Sequence, residues 1–90
     1  MTTELQKKKA ILRDIINSCP IYSPSPYEED KDVWFGVNVE SGHRMELRLD
    51  GYRFKLMRGA KRVKSTLIKD VNPEKFKEYI YSIVGVVPPK

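Results

Sequence analysis

The residue types that most often carry catalysis are few in this chain and stand far apart. His43 is the only histidine and Cys19 the only cysteine, and no nucleophile can be placed beside the histidine. Glu28, Glu29 and Asp30 are consecutive acids in a polar segment, a pattern typical of a solvated loop. The spacings HxxxH and CxxC and the acidic calcium loop are missing. We therefore expect no enzyme activity, no metal and no cofactor.

The side chains that could bind a ligand are basic and concentrated in one stretch. The chain has 17 Lys plus Arg against 12 Asp plus Glu, a formal net charge of +5, which favours an anionic partner. The stretch LDGYRFKLMRGAKRVKSTL, residues 49–67, contains two turn signals, Asp50-Gly51 and Gly59-Ala60. These signals predict two hairpins that set basic residues against one another on neighbouring strands.

Alternating apolar residues predict four strands, which two amphipathic helices flank. The strand pattern covers residues 33–39, 44–49 and 52–57, with a fourth strand marked by Val63 and Leu67. A capping box at Thr3 predicts a first helix from about Glu4 to Ser18. Asn72 is a good N-cap for a second helix, and Gly85 can end it.

The predicted fold is one α+β domain over residues 1–90, in the order α-β-β-β-β-α. A meander of three or four antiparallel strands has one apolar face, so both helices should share it and leave the other face open. Residues 20–31 read as a Pro/Ser-rich loop, with a docking or phosphorylation site as the alternative, and residues 86–90 as a tail. The predicted core comprises Ile16, Phe35, Val37, Leu47, Leu49, Phe54, Leu56, Phe76 and Ile80.

Hairpin register predicts that the open face is basic. Two-residue turns would pair Arg48 with Arg53 and Lys55 with Lys64, and a three-residue first loop would pair Glu40 with Arg44. Opposed like charges destabilise a sheet by up to roughly 1 kcal/mol per pair, and a phosphate backbone lying across the strands would relieve the repulsion. The alternative is a solvated surface whose long side chains splay apart. The candidate nucleic-acid-binding residues are Trp34, as a stacking platform, with Arg44, Arg48, Arg53, Lys55, Arg62 and Lys64.

The chain offers no segment for a membrane or for secretion. Its N-terminus lacks the apolar core of a signal peptide, and no apolar run approaches the ~20 residues that span a bilayer. We expect a cytoplasmic protein without an integral membrane segment. The expected partner is RNA or another polyanion, with a homo- or heterodimer through the sheet as a further alternative.

The run KRVKSTLI, residues 61–68, followed by Lys75-Phe76, resembles the small Alu-domain subunits of the signal recognition particle. The match is closest to the last strand and second helix of the fourteen-kilodalton subunit. Those subunits are α-β-β-β-α proteins that pair as heterodimers and bind RNA on the sheet face away from their helices. The resemblance implies a ribonucleoprotein subunit with RNA phosphates held by Arg53, Lys55, Arg62 and Lys64.

A second resemblance competes with the first. DGYRFK, residues 50–55, in a chain of this element order is similar to kinase-associated domains that bind acidic phospholipids and kinase lobes. The spacing from Phe54 to the last helix is longer here than in that family. A plain protein-interaction or dimerisation module is a third reading, and the sequence leaves these alternatives open.

Overall fold

Both helices begin and end at the signals that the sequence carries. In this computed structural model, which describes residues 3–88, helix α1 spans Glu4–Ser18 and helix α2 spans Pro73–Ile83. The Thr3 hydroxyl accepts the Gln6 N–H at 3.1 Å, and the Gln6 side chain accepts the Thr3 N–H, which completes the predicted capping box. The Asn72 side chain caps the first turn of α2.

The strands form one antiparallel sheet whose order in space is their order in the chain. The predicted α+β layout is confirmed, with five strands instead of three or four. The additional strand lies within the predicted Pro/Ser-rich loop and is two residues long; its proline is tolerated because the strand is at the edge of the sheet. The strands are β1 (Ser23–Pro24), β2 (Val33–Val37), β3 (Arg44–Asp50), β4 (Arg53–Arg58) and β5 (Lys61–Leu67).

One apolar core lies between the two helices and one face of the sheet. Seven of the nine predicted core residues are buried in it, and Trp34 joins them. Phe35 and Val37, which we also expected there, lie outside it, and Val37 is 47% exposed. Residues 1, 2, 89 and 90 lie outside the described range, so the predicted tail over residues 86–90 is described only in part.

The two faces of β2 are the reverse of our prediction. Val37 pairs with Arg44, whereas we expected Glu40 in that position. The predicted register between β2 and β3 is therefore shifted by an odd number of residues. An odd shift turns every side chain of a strand to the other face. The longer connection is held by Asn38, whose amide donates to the Ile83 carbonyl at 2.8 Å and whose side-chain oxygen accepts from the backbone of the turn.

In the β3–β4 hairpin, the side chains lie on the predicted faces of the sheet, but the two strands pair in a different register. Its turn is Gly51-Tyr52, so Asp50 pairs with Arg53. The turn expected at Asp50-Gly51 needs positive φ at both central residues, whereas here only Gly51 has positive φ, at 60°. The shift is even, and Arg48 therefore lies opposite Lys55 instead of Arg53.

A β-bulge in β5 moves one predicted site residue to the helix side of the sheet. The turn at Gly59-Ala60 is as predicted, with Arg58 opposite Lys61. Beyond it, the register shifts by one residue, so that Lys64 pairs with buried Leu56 and not with Lys55. An extra residue in one strand turns the side chains of the residues that follow it to the opposite face of the sheet.

Candidate nucleic-acid interface

The sheet face opposite the helices, called the open face below, carries a mixture of basic and apolar side chains. Five of its charged residues are basic and two are acidic, because the register gathers alternate positions of β3, β4 and β5 on this side. A shallow groove of about 490 Å³ crosses these strands. The open face has two central cross-strand rows. One consists of Phe35, Glu46, Met57 and Arg62, and the other of Val33, Arg48, Lys55 and Ser65.

The two acids of the open face neutralise the one like-charge pair in these rows. Arg48 lies opposite Lys55, as two cations side by side. The Arg48 Nε donates to Glu46 Oε2 at 2.6 Å, and the Lys55 Nζ donates to Asp50 Oδ2 at 2.8 Å. Each cation thus has a carboxylate in the neighbouring row, and the repulsion across the strands is offset within the protein.

Asp50 is surrounded by basic side chains that perturb its carboxylate. Its hydrogen bond from Lys55, followed by the charges of Lys55, Arg48 and Lys9, lowers its pKa below the usual value. Helix α1 therefore contributes Lys9 to the field at this end of the open face. The residues at this end also line an open cleft of about 460 Å³, together with Glu28, Glu29, Lys31 and Asp32.

Two further basic residues of the open face, Arg44 and Arg53, contact aromatic rings and a hydroxyl. The Arg44 guanidinium lies 4.7 Å from the centre of the Phe35 ring, a cation–π contact on the open face. Arg53 lies 5.7 Å from the Tyr52 ring centre and donates to the Ser65 hydroxyl at 3.3 Å. These contacts position the guanidinium groups without neutralising them.

Four basic residues lie where β3 begins and the β4–β5 hairpin turns. Within the described residues, no ion pair joins a carboxylate to any cation at this end of the sheet. Arg58 lies 3.2 Å from His43 Nε2, and since the guanidinium can only donate, the imidazole nitrogen accepts. We call this region the basic end; it comprises Arg44, Arg58, Lys61 and Arg62.

Five of the seven predicted site residues come together on the open face, and two do not. Trp34 is 2% exposed and its indole N–H donates to Asn17 of α1 at 2.9 Å, so it is a core residue and not a stacking platform. Lys64 lies on the helix side, with Nζ 4.5 Å from the Tyr79 ring centre. The odd register shifts at the β2–β3 connection and at the bulge account for both corrections.

The structure adds three residues to this region that sequence reasoning missed. Phe35 is the aromatic residue of the open face, in the position predicted for Trp34. Arg58 and Lys61 flank the Gly59-Ala60 turn and belong to the basic end. Alternation could not have identified Phe35, because both faces of the segment VWFGV are apolar.

Comparisons with known proteins gave no match, and the described residues contain neither a metal-binding cluster nor a membrane-spanning helix. No family, curated protein or solved structure matches this chain. Among residues 3–88, no group of three or more His, Cys, Asp or Glu side chains is arranged to hold a metal ion. The helices within that same range are all too short or too polar to cross a membrane.

Proposed function

We propose that the protein is a non-enzymatic, cytoplasmic nucleic-acid-binding domain that holds RNA on the open face of its sheet. The observation that carries the proposal is the excess of five basic over two acidic side chains on this single face. That excess equals three of the chain's five net positive charges. Arginine forks match phosphate oxygens, and contacts of this kind position a nucleic-acid backbone.

A single-stranded segment fits this surface better than a duplex. Single-stranded binding combines a basic groove along the backbone with an aromatic ring on which a base stacks. Phe35, partly exposed beside Arg44, is the ring proposed for stacking, and it shares a cross-strand row with Met57 and Arg62, which line the groove across β3–β5. The resemblance of residues 61–68 to the Alu-domain subunits favours RNA, and a role as a ribonucleoprotein subunit, over other polyanions.

A charge-neutralised variant tests the open face directly. R44Q/R53Q/R62Q removes three cations that make no ion pair with a carboxylate of the described residues. If each contacts one phosphate, binding of single-stranded RNA should show a log–log salt slope reduced by about 2 in the variant, with at least tenfold weaker affinity. The measurement is a fluorescence-anisotropy titration at several salt concentrations.

The matched control is K7Q/K69Q/K77Q, which removes equal charge from the helices and from the 3₁₀ turn Ile68–Asp70. Lys9 is unsuitable as a control because it acts on Asp50. Equal loss in both variants would assign the binding to net charge and contradict the proposal. Binding of vesicles rich in acidic phospholipid, without binding of RNA, would identify a lipid headgroup as the anion.

A further inference from the structure

The outer edge of β5 is a second surface with unused binding capacity. β5 is the last strand of the sheet, so the backbone groups that point away from β4 have no strand beside them. Within the described residues, the backbone of 61–67 hydrogen-bonds to no element other than β4. Such an edge is a template for another extended chain.

A groove of about 420 Å³ runs beside this edge, between β5 and α2. Its apolar lining consists of Val71 and three aromatic rings. The Phe54 ring packs edge-on against those of Phe76 and Tyr79, with 5.0 Å and 6.5 Å between the ring centres. Thr66 of β5 and Asn72 at the start of α2 add polar groups to its walls. A strand edge next to a groove under a helix is the arrangement that recognises an extended peptide through its backbone and alternate side chains.

The charge of this groove indicates the chemistry of its occupant. Lys64 and Lys75 line it, with Asp70 as the one acidic lining residue. The bulge turns Lys64 to this side, and Lys61 lies at the start of the same edge strand. A second copy of the chain pairing antiparallel along β5 would bring these cations against each other, which is unfavourable.

We propose that the β5 edge and the adjoining groove bind an extended acidic segment of a partner protein by strand addition. The segment pairs its backbone with β5, places an apolar side chain over Phe76 and Tyr79, and sets its carboxylates near Lys64 and Lys75. This surface faces the helix side and is separate from the open face, so the proposal does not depend on RNA binding.

The test is selection from a displayed library of linear peptides of about ten residues, a length that covers one strand. We expect enriched sequences with alternating acidic residues around an apolar or aromatic residue. A synthetic selected peptide should bind K64E/K75E at least tenfold more weakly than wild type, while K7E/K77E, the matched control, binds as wild type does. Of two peptides that are N-methylated at the two alternate sets of amides, the one whose methylated amides face β5 should lose binding, because those amides can no longer donate to the β5 backbone.

Three outcomes would overturn the proposal. The first is failure of the library to enrich any sequence over the K64E/K75E protein, which would mean that the lysines only protect the edge from aggregation. The second is unchanged binding of both alternately N-methylated peptides. The third is loss of peptide binding in R44Q/R53Q/R62Q, which would place the peptide on the open face. Thermal melts of all variants establish that each is folded.

Discussion

At the scale of single residues, Arg48 and Lys55 show how neighbouring acids make a like-charge pair tolerable. The sequence suggested that an anion lying across the strands would relieve the repulsion within such pairs. In the structure, Glu46 and Asp50 supply the negative charge instead. In the proposed function, an anionic ligand would be bound by the excess of cations over these acids, and each acid would compete with it.

This competition predicts that removing the two acids strengthens RNA binding. E46Q/D50N releases Arg48 from Glu46 and Lys55 from Asp50, so both cations become available to phosphate. We expect a several-fold higher affinity for single-stranded RNA and a steeper salt slope, by up to about 1.4 for two added phosphate contacts. The variant should also melt at a lower temperature, because two opposed cations lose their counter-charges.

The control for this prediction is E74Q/E78Q, which removes the same charge from α2. A general electrostatic effect would raise RNA affinity equally in both variants. Unchanged affinity in E46Q/D50N would mean that RNA does not contact Arg48 and Lys55.

At the scale of elements, the β2–β3 connection decides which aromatic residue is available for binding. Gly36 lies on the helix side, where the Tyr22 ring packs against it. A Cβ at this position would lie 2.7 Å from two ring atoms of Tyr22, closer than any side chain tolerates without a shift. This close approach fixes Trp34 in the core and Phe35 on the open face.

The substitution G36A should therefore destabilise the fold, by about 1–3 kcal/mol, the usual cost of overpacking. The measurement is urea unfolding, with V37A as the comparison because Val37 is half exposed on the opposite face and should cost much less. Equal stability of G36A and wild type would contradict the packing of Tyr22 on β2.

The bulge in β5 has an equally large effect on the distribution of function. It transfers Lys64 from the open face to the groove beside α2, where its ammonium group faces the Tyr79 ring. One extra residue in a strand thus divides the basic run KRVK between two surfaces. The RNA proposal and the peptide proposal depend on this division.

At the scale of the whole molecule, the core contains tyrosines whose neutral form the fold favours. Burial raises the pKa of Tyr22, Tyr79 and Tyr81 above the ordinary value. The Tyr22 hydroxyl donates to the Ile80 carbonyl at 2.6 Å, whereas the Tyr81 hydroxyl, also buried, has no hydrogen-bond partner among the described residues. Ionisation of any of them in place would leave a charge in an apolar environment.

Stability should consequently fall as the pH rises above about 10, the pKa of tyrosine in the unfolded chain. The folded protein holds these protons more tightly, so the stabilisation is complete below that pH and is lost above it. Urea unfolding between pH 8 and pH 11 should show the decline. Y22F should flatten it and cost about 1–2 kcal/mol at neutral pH through loss of its hydrogen bond. A decline of the same slope in Y22F would mean that Tyr22 does not contribute to it.

The sequence by itself determined the features that depend on neighbouring residues. The capping box at Thr3 and the N-cap at Asn72 define where the helices begin, because a cap is satisfied within one helical turn. Period-two alternation defined β3 and β4, where apolar and charged residues separate cleanly. The basic character of the open face followed from those two strands, and Arg44, Arg48, Arg53 and Lys55 were placed correctly as a result.

Tertiary structure decided which face of the sheet the side chains of β2 and β5 occupy. In β2, the residues of both faces are apolar, so alternation does not indicate which face is buried. The contact between Gly36 and Tyr22 and the hydrogen bond from Asn38 to α2 decide it. In β5, a single bulge outweighed a correctly predicted turn and moved Lys64 across the sheet. A one-residue shift costs nothing in local propensity yet exchanges the two faces of a strand, so only packing against the rest of the protein can choose between them.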